Sequence, residues 1–357
     1  MKKLQLGDTI GIIGGGQLGR MLAMAAARLG FKTIILDPQS DCPAAQCAND
    51  VIIGSFDDEI ALNRLGELCD IITYEFENVP VAAIDKLAQN HTIAPHPAAL
   101  EIAQDRFLEK KHLNECAITT APWRPVDDLP SLLAAIAACG GKGILKTRRF
   151  GYDGKGQVRI SSEDEKEAES ALADIGNQPA IFEGFVDFSR EISVVAARSQ
   201  DGKVAFFDIP ENRHSDGILR RSTIPAAISD DTANQARQYV ETLLHALNYV
   251  GVIAVEFFVL ADGRLIANEF APRVHNSGHW TEAACVISQF EQHIRAVAGL
   301  PLGDPKRHSD CVMENLIGND VERLPQLVNE PDVLIHLYGK SEVREGRKMG
   351  HFTRLVS

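Results

Sequence analysis

Glu256 and Glu269 carry the sharpest chemical signal in this sequence. The apolar runs VIAVEFFVL (252–260) and RLIANEF (264–270) flank Asp262-Gly263. Asp-Gly between two such runs is a hairpin signal. A two-residue turn there sets Ala261 opposite Arg264 and, counting outwards, Glu256 opposite Glu269. Directly opposed residues have β-carbons about 4.5–5.5 Å apart, and like charges in that position repel. Both glutamates interrupt apolar strands, so a divalent cation, a shared proton or a basic residue must compensate. Two carboxylates in a pocket that also receives phosphate form a usual Mg²⁺ arrangement.

Lys146 ends the apolar run GILK, and Gly151-Tyr152-Asp153-Gly154-Lys155-Gly156 follows five residues on. Three glycines in six residues allow backbone N–H groups to approach phosphate oxygens. The loop lacks the G-x-x-x-x-G-K-[ST] order of a Walker A motif. A glycine-rich hairpin with a strand lysine is nevertheless how several ATP enzymes cover the nucleotide. After the second glutamate, APRVHNSGHW (271–280) gathers Arg273, His275, Asn276 and His279. Pro272 and Gly278 make this stretch mostly loop, so the histidines read as parts of a substrate site rather than as a helical zinc pair. Lys340, Arg344, Arg347, Lys348 and His351 form a basic cluster suited to a phosphate monoester.

One further motif has two readings. Gly14-Gly15-Gly16-Gln17-Leu18-Gly19 fits G-x-G-x-x-G between a strand and a helix, and Asp37 ends the next strand. Taken alone, residues 1–40 resemble the nicotinamide-dinucleotide fingerprint. They equally fit the ligand edge of a Rossmann-like sheet that serves another nucleotide.

The elements that must hold these groups follow from periodicity. TIGIIG (9–14), KTIILD (32–37), 50–54 and 70–74 read as strands, with helices at 17–29, 58–68 and 80–89. This alternation implies a parallel α/β sheet. A helical stretch covers 98–116, and a Pro-rich connection (121–130) leads to a compact lobe. That lobe comprises a helix (131–139), a strand at 144–146, the glycine loop, QVRI, a charged helix (163–174) and AIFEGFV. From Glu191 the pattern is β-rich, with helices at 231–248 and 281–298. The tail after Pro301 reads as a small β module. The implied units are 1–105, 106–190, 191–300 and 301–357.

Hydrophobic residues are 45% and charged residues 24%, and the net charge is −13. That balance argues against non-specific binding to nucleic acid or an anionic membrane. The seven cysteines are irregularly spaced without C-x-x-C, which reads as reduced thiols in a cytoplasmic protein. Glycines break the N-terminal apolar run too early for a signal peptide or membrane helix.

Taken together, Lys146, GYDGKGQ (151–157), EGFV (183–186), Glu191, AVEFF (254–258) and NEFAPRVHNSGHW (268–280) resemble the ATP-grasp superfamily. GGGQLGRML (14–22) and TYEFENV (73–79), with GYDGKG and APRVHNSGHW, are similar to its N5-carboxyaminoimidazole ribonucleotide synthetases over nearly the whole chain. The resemblance implies an α/β fold, α+β overall: a Rossmann-like N-terminal parallel sheet, a small lid lobe, a central ATP-grasp domain and a β-rich C-terminal module. It implies ATP-dependent carboxylation of 5-aminoimidazole ribonucleotide with bicarbonate through carboxyphosphate, with Mg²⁺, in a homodimer. Arg106 and Lys146 would contact ATP phosphates, and Gly151, Tyr152, Asp153, Gly154, Lys155, Gly156 and Gln157 would form the lid. Glu183, Gly184, Phe185 and Val186 would bracket adenine, Glu191 would hold ribose, and His214 and Asn268 would lie near the nucleotide. Glu256 and Glu269 would hold Mg²⁺. Arg273 and His275 would face bicarbonate and carboxyphosphate, with Asp153 a third catalytic group. Gln17, Leu18, Glu75, Tyr152, Asp153 and Asn276 would contact the aminoimidazole nucleotide, and Lys340, Arg347 and Lys348 its 5′-phosphate. A formate-dependent glycinamide ribonucleotide formyltransferase is the nearest alternative, and an NAD-dependent oxidoreductase a more remote one.

Overall fold

The computed structural model describes residues 3–149, 151 and 156–356. Its strands form three sheets in chain order. The first holds β1 (Thr9–Ile13), β2 (Lys32–Asp37), β3 (Asp50–Ile53) and β4 (Ile71–Tyr74) in the parallel order β3-β2-β1-β4. β1 runs into α1 (Gln17–Arg28), while α2 (Glu59–Leu68) returns the chain to β4. The order reverses between β1 and β4, which is where an open α/β sheet leaves a crevice beyond its strand ends. α3 (Val81–Ala88), α4 (Pro97–Ala103) and α5 (Arg106–Glu115) follow.

The single helical stretch expected over 98–116 is two helices. Asp105 breaks it, because its carboxylate accepts the Phe107 N–H at 2.9 Å and so caps α5. The same carboxylate binds Arg148.

The second sheet is an antiparallel lobe with its own core: β5 (Trp123–Val126), β6 (Gly143–Thr147), β7 (Gln157–Ile160) and β8 (Ala180–Gly184), ordered β5-β8-β6-β7. α6 (Leu129–Ala138) and α7 (Glu165–Asp174) cover it.

The third sheet has nine strands. β9 (Arg190–Arg198), β10 (Val204–Phe206), β11 (Glu211–Ser215) and β12 (Ile218–Ile224) precede α8 (Asp230–Ala246). The hairpin β13 (Gly251–Val259) and β14 (Leu265–Ala271) leads to α9 (Thr281–Ala284) and α10 (Gln289–Val297). The helical pattern read over 281–298 is thus also split, since Ser288 caps a new helix by accepting the Glu291 N–H. β15 (Asp310–Ile317), α11 (Leu324–Leu327), β16 (Val333–Leu337) and β17 (Lys348–Val356) close the chain. The order is β14-β13-β9-β11-β12-β15-β17-β16, with β10 beside β9. The β-rich tail therefore extends the large sheet through β12–β15 pairing rather than standing apart.

One core joins the first and third sheets. Leu18, Met21, Leu22 and Ala25 of α1 pack with Phe290, Ile294 and Val297 of α10 and with Val195, Val252 and Ala254 from the large sheet. Burial of a large aliphatic or aromatic side chain stabilises by about 1.5–3 kcal/mol. This shared core fixes the glycine loop relative to the glutamate hairpin.

Candidate active site

The hairpin brings its two glutamates together by a different route from the simple count. Leu260 N–H donates to Arg264 O and Gly263 N–H to Leu260 O, which closes a three-residue loop with Gly263 at φ +86°. That loop pairs Val259 with Leu265 and Phe257 with Ala267, one residue out of the expected register. A β-bulge then inserts Asn268 and restores the pairing of Glu256 with Glu269. Two adjacent residues of α5 pin this bulge. Lys110 Nζ donates to the Asn268 carbonyl, and Glu109 accepts the Phe270 N–H at 2.7 Å. Burial and then the facing Glu269 push the Glu256 carboxyl up to about 7. Glu109 is pushed up to about 8, chiefly by burial, with Glu269 adding to it against Lys110.

Beside the hairpin lies a buried cation pair. Lys146 Nζ is 3.0 Å and Lys110 Nζ 3.1 Å from the carboxylate of Glu183. Burial disfavours that charge, but the two ammonium groups outweigh it and hold Glu183 at about 2. Burial lowers the pKa of Lys146, against the pull of Glu183. The Glu183 carboxylate is thus committed to two lysines, which leaves its backbone for the expected contacts with adenine. In the adjoining hinge, Gly184 N–H donates to Pro122 O and Phe185 N–H to Lys142 O. The Phe185 ring is exposed beneath Lys142 and Arg159, and Val186 is half-buried. Arg106 reaches the Thr147 and Gly151 carbonyls at 3.5 and 3.4 Å. Gly156 has φ +68°, and a β-carbon there would lie 2.6 Å from Thr147 Oγ1, so only glycine fits where the loop rejoins β7 at Gln157. Tyr152, Asp153, Gly154 and Lys155 lie outside the described residues.

Glu191 of β9 and His214 of β11 meet at 2.5 Å. Burial opposes charge on His214, but the Glu191 hydrogen bond and the nearby Glu256 raise its pKa. In the loop after β14, Arg273 forms a two-pronged pair with Glu77, one arm at 3.0 Å. Burial works against ionised Glu77, yet the guanidinium holds it at about 2. His275 Nδ1 accepts the Ser277 N–H at 3.3 Å and meets Ser277 Oγ at 2.8 Å, while Nε2 lies 3.5 Å from Glu256. Burial and the adjacent Arg273 push His275 down to about 3, so it is neutral at physiological pH. Both amide atoms of Asn276 are sequestered without a hydrogen-bond partner among the described residues. Buried polar groups are ordinarily paired, so this amide carries an unmet hydrogen-bonding demand.

The glycine loop is already filled by the protein. Glu75, just beyond β4, accepts Gly16 N–H at 2.5 Å and Gly19 N–H at 2.6 Å. Asp37 accepts Gly15 N–H at 2.8 Å and Gln39 N–H at 2.8 Å. The donors a dinucleotide pyrophosphate would need at this helix N-terminus are thus taken by two carboxylates. The acid that resembled a ribose ligand is one of them. This overturns the nicotinamide reading of residues 1–40. Gln17 and Leu18 form the first turn of α1 over the same edge.

The C-terminal strands supply the basic residues. Lys340 Nζ donates to Lys348 O at 2.7 Å, and Arg347 donates to Glu342 O at 3.1 Å. The charge on Lys348 lowers the pKa of both Glu256 and His275, which places β17 in the same electrostatic neighbourhood as the hairpin. Glu282 of α9 joins His336 and His351 of β16 and β17, at 2.9 and 3.6 Å. Burial disfavours its charge, but the two imidazoles hold it at about 2.

Arg106, Lys146, Glu183, Glu191, His214, Glu256, Glu269, Arg273, His275 and Lys348 are therefore linked as electrostatic neighbours. Glu75 joins them through its effect on Arg273. Lys110, Glu109 and Glu77 are the additions that sequence reasoning missed. Glu77 lies in the quoted TYEFENV, and its spacing of two from Glu75 was an available signal. Lys110 stands in a charged helix, EKKH, with nothing to distinguish it.

Comparison with known proteins agrees with this geometry. Residues 7–104 match a ribonucleotide synthetase preATP-grasp domain, 111–290 an ATP-grasp domain, and 311–357 a phosphoribosylaminoimidazole carboxylase C-terminal domain. The chain is 66% identical over 352 residues to an N5-carboxyaminoimidazole ribonucleotide synthase of Brucella melitensis, covering 99% of this chain and 97% of that one. Identity is 40% over 357 residues with the synthase of Staphylococcus aureus strain COL, covering 99% and 94%. A crystal structure of an N5-carboxyaminoimidazole ribonucleotide synthetase with ADP superposes with TM-score 0.96 at 41% identity, covering 100% and 94%. An Aspergillus clavatus synthase in complex with ADP and the aminoimidazole ribonucleotide gives TM-score 0.92 at 30% identity, covering 98% and 94%.

Proposed function

The chain belongs to the N5-carboxyaminoimidazole ribonucleotide synthase family of ATP-grasp enzymes, and from that premise we propose that it carboxylates 5-aminoimidazole ribonucleotide with ATP and bicarbonate. The products are the N5-carboxylated nucleotide, ADP and phosphate. A bicarbonate oxygen attacks the γ-phosphorus as ADP leaves, giving carboxyphosphate. The exocyclic amine of the nucleotide then takes the carboxyl group as phosphate departs and the amine loses its proton. The domain division 1–105, 106–190, 191–300 and 301–357, the cytoplasmic location and a homodimer are family expectations that we carry with this reading. No helix among the described residues is long and apolar enough to cross a membrane.

The observation that carries the proposal is the facing pair Glu256–Glu269, which has no Lys or Arg salt bridge among the described residues, close to the Lys110–Glu183–Lys146 cluster through the Asn268 carbonyl. Burial and mutual repulsion hold a proton on Glu256 to about pH 7, which is the signature of two carboxylates awaiting a cation. Both are hard oxygen donors and fit Mg²⁺, which when bound would neutralise the triphosphate. Lys146 and Arg106 would hold phosphate oxygens, and Glu191 and His214 the ribose side of ATP. Arg273, oriented by Glu77, and neutral His275 would hold bicarbonate and its phosphorylated form. Asn276 and the α1 end at Gln17 and Leu18 would bind the aminoimidazole nucleotide, with its phosphate on Lys340, Arg347 and Lys348. Such catalysis is mostly placement and charge neutralisation.

The test follows ADP release in two mixtures, aminoimidazole ribonucleotide with bicarbonate and glycinamide ribonucleotide with formate, while NADH absorbance is monitored in parallel. Turnover is expected only in the first. Stimulation by formate would transfer the assignment to the formyltransferase, and NADH consumption to an oxidoreductase.

A further inference from the structure

Behind His275 a line of buried polar side chains crosses the large sheet. Ser222 Oγ donates to Asn212 Oδ1 at 2.8 Å, and Asn212 Nδ2 donates to Ser193 Oγ at 3.0 Å. Ser193 Oγ meets Ser277 Oγ at 2.6 Å, and Ser277 Oγ meets His275 Nδ1 at 2.8 Å. Ser222, Ser193 and Ser277 are wholly buried and Asn212 is 4% exposed. Leaving any one unsatisfied would cost about 1–3 kcal/mol, so the line holds best as a complete set.

Its direction is set at the histidine end. The Ser277 backbone N–H points at Nδ1, so that nitrogen is an acceptor. Ser277 Oγ must then give its proton to Nδ1 and accept from Ser193. Ser193 in turn accepts from Asn212, whose amide oxygen is occupied by Ser222. Every donor in the line points toward His275.

We infer that the Ser277 backbone N–H and the line Ser222, Asn212, Ser193 and Ser277 together hold His275 as its Nε2–H tautomer, so that this histidine acts on the reacting group as a hydrogen-bond donor and not as a base. The relay residues are positioning residues. The tautomer stands on the hydrogen bonds alone, and its catalytic meaning rests on the carboxylation reading above. Nε2 is the atom turned to the carboxylate pair, 3.5 Å from Glu256. Bicarbonate and carboxyphosphate are oxyanions, and a preorganised N–H is the group that stabilises negative charge on their oxygens. A base at this position would need a lone pair on Nε2, which the relay excludes. The amine proton must therefore leave by another route, such as an oxygen of the departing phosphate.

The experiment uses full-length enzyme labelled with ¹⁵N-histidine, without nucleotide, and long-range ¹H–¹⁵N spectra at neutral pH. His275→Gln identifies the resonances. The wild type is expected to show an unprotonated Nδ1 and a protonated Nε2. Asn212→Asp is nearly isosteric but replaces the amide donor to Ser193 by an acceptor. It should reverse the line, move His275 toward the Nδ1–H form and lower kcat at least ~10-fold with KM for ATP little changed. Ser193→Ala, which cuts the line without adding charge, should raise the Nδ1–H fraction in the same direction and serves if the aspartate variant does not fold. An Nδ1–H wild type overturns the inference, as does a folded variant whose tautomer stays as in the wild type. Failure of the carboxylation reading would look different, with an Nε2–H spectrum and no turnover in either mixture.

Discussion

The glycine-loop end of the small parallel sheet and the glutamate hairpin of the large sheet each gather acidic side chains, and they treat them in opposite ways. Glu75 and Asp37 accept backbone N–H groups from the helix entrance, so their oxygens have hydrogen-bond partners within the protein, although burial still raises the Glu75 pKa. Glu256 and Glu269 confront one another, and the protein meets that repulsion by leaving a proton on Glu256. The first arrangement is complete without a metal, whereas the second is not. The motif that looked most like a cofactor site is thus self-satisfied. The pair visible only through strand register is the one that calls for a cation.

That contrast can be broken by making the same substitution at both places. Glu269→Gln is expected to lower kcat by about 10³-fold or more in the ADP-release assay, because one of two metal-binding carboxylates is lost. Next in size is an effect of pH on a third, protein-satisfied carboxylate. Glu282 is held at about 2 against an ordinary 4.5, so its contribution to stability is present above about pH 5 and is lost as pH falls from 4.5 toward 2. The loss amounts to at most ~3 kcal/mol. Urea unfolding of the wild type between pH 7 and 3 should show this slope, and Glu282→Gln should flatten it. Glu75→Gln is expected to destabilise by about 1–3 kcal/mol at pH 7, since one of the Gly16 and Gly19 N–H groups would face an NH₂ in place of an acceptor oxygen. Smallest, and opposite in sign, Glu269→Gln should stabilise the nucleotide-free enzyme by ~0.2–1 kcal/mol through relief of a facing like charge. If Glu75→Gln and Glu269→Gln moved stability in the same direction, the distinction between the two regions would fail.

The sequence disclosed the alternation of strand and helix in the first hundred residues because hydrophobic period and glycine placement are local. It disclosed the Glu256–Glu269 pairing through two errors that cancel. The turn is one residue longer than read, and Asn268 adds one residue on the other side. Turn chemistry was legible at Asp262-Gly263, whereas the bulge depends on Lys110 and Glu109, about 160 positions away in the chain. Distance in sequence likewise hid the pairing of Arg273 with Glu77, 196 residues apart. The split of 98–116 could have been found, since Asp105 ahead of a helical run is an N-cap signal. Ser193 and Ser222 were legible only as polar residues beside apolar ones, and Asn212 only as one polar residue in the polar run ENRHS. Their common line appears once β9, β11 and β12 lie side by side.

The pairing of β12 with β15 has a consequence for what can be cut from this chain. Were residues 310–356 removed, the backbone of Arg221–Ile224 would lose its outer neighbour and become an open strand edge. An uncovered edge invites pairing with other chains, so a truncated form should aggregate rather than persist as a smaller enzyme. The tail thus covers a strand edge as well as contributing basic residues.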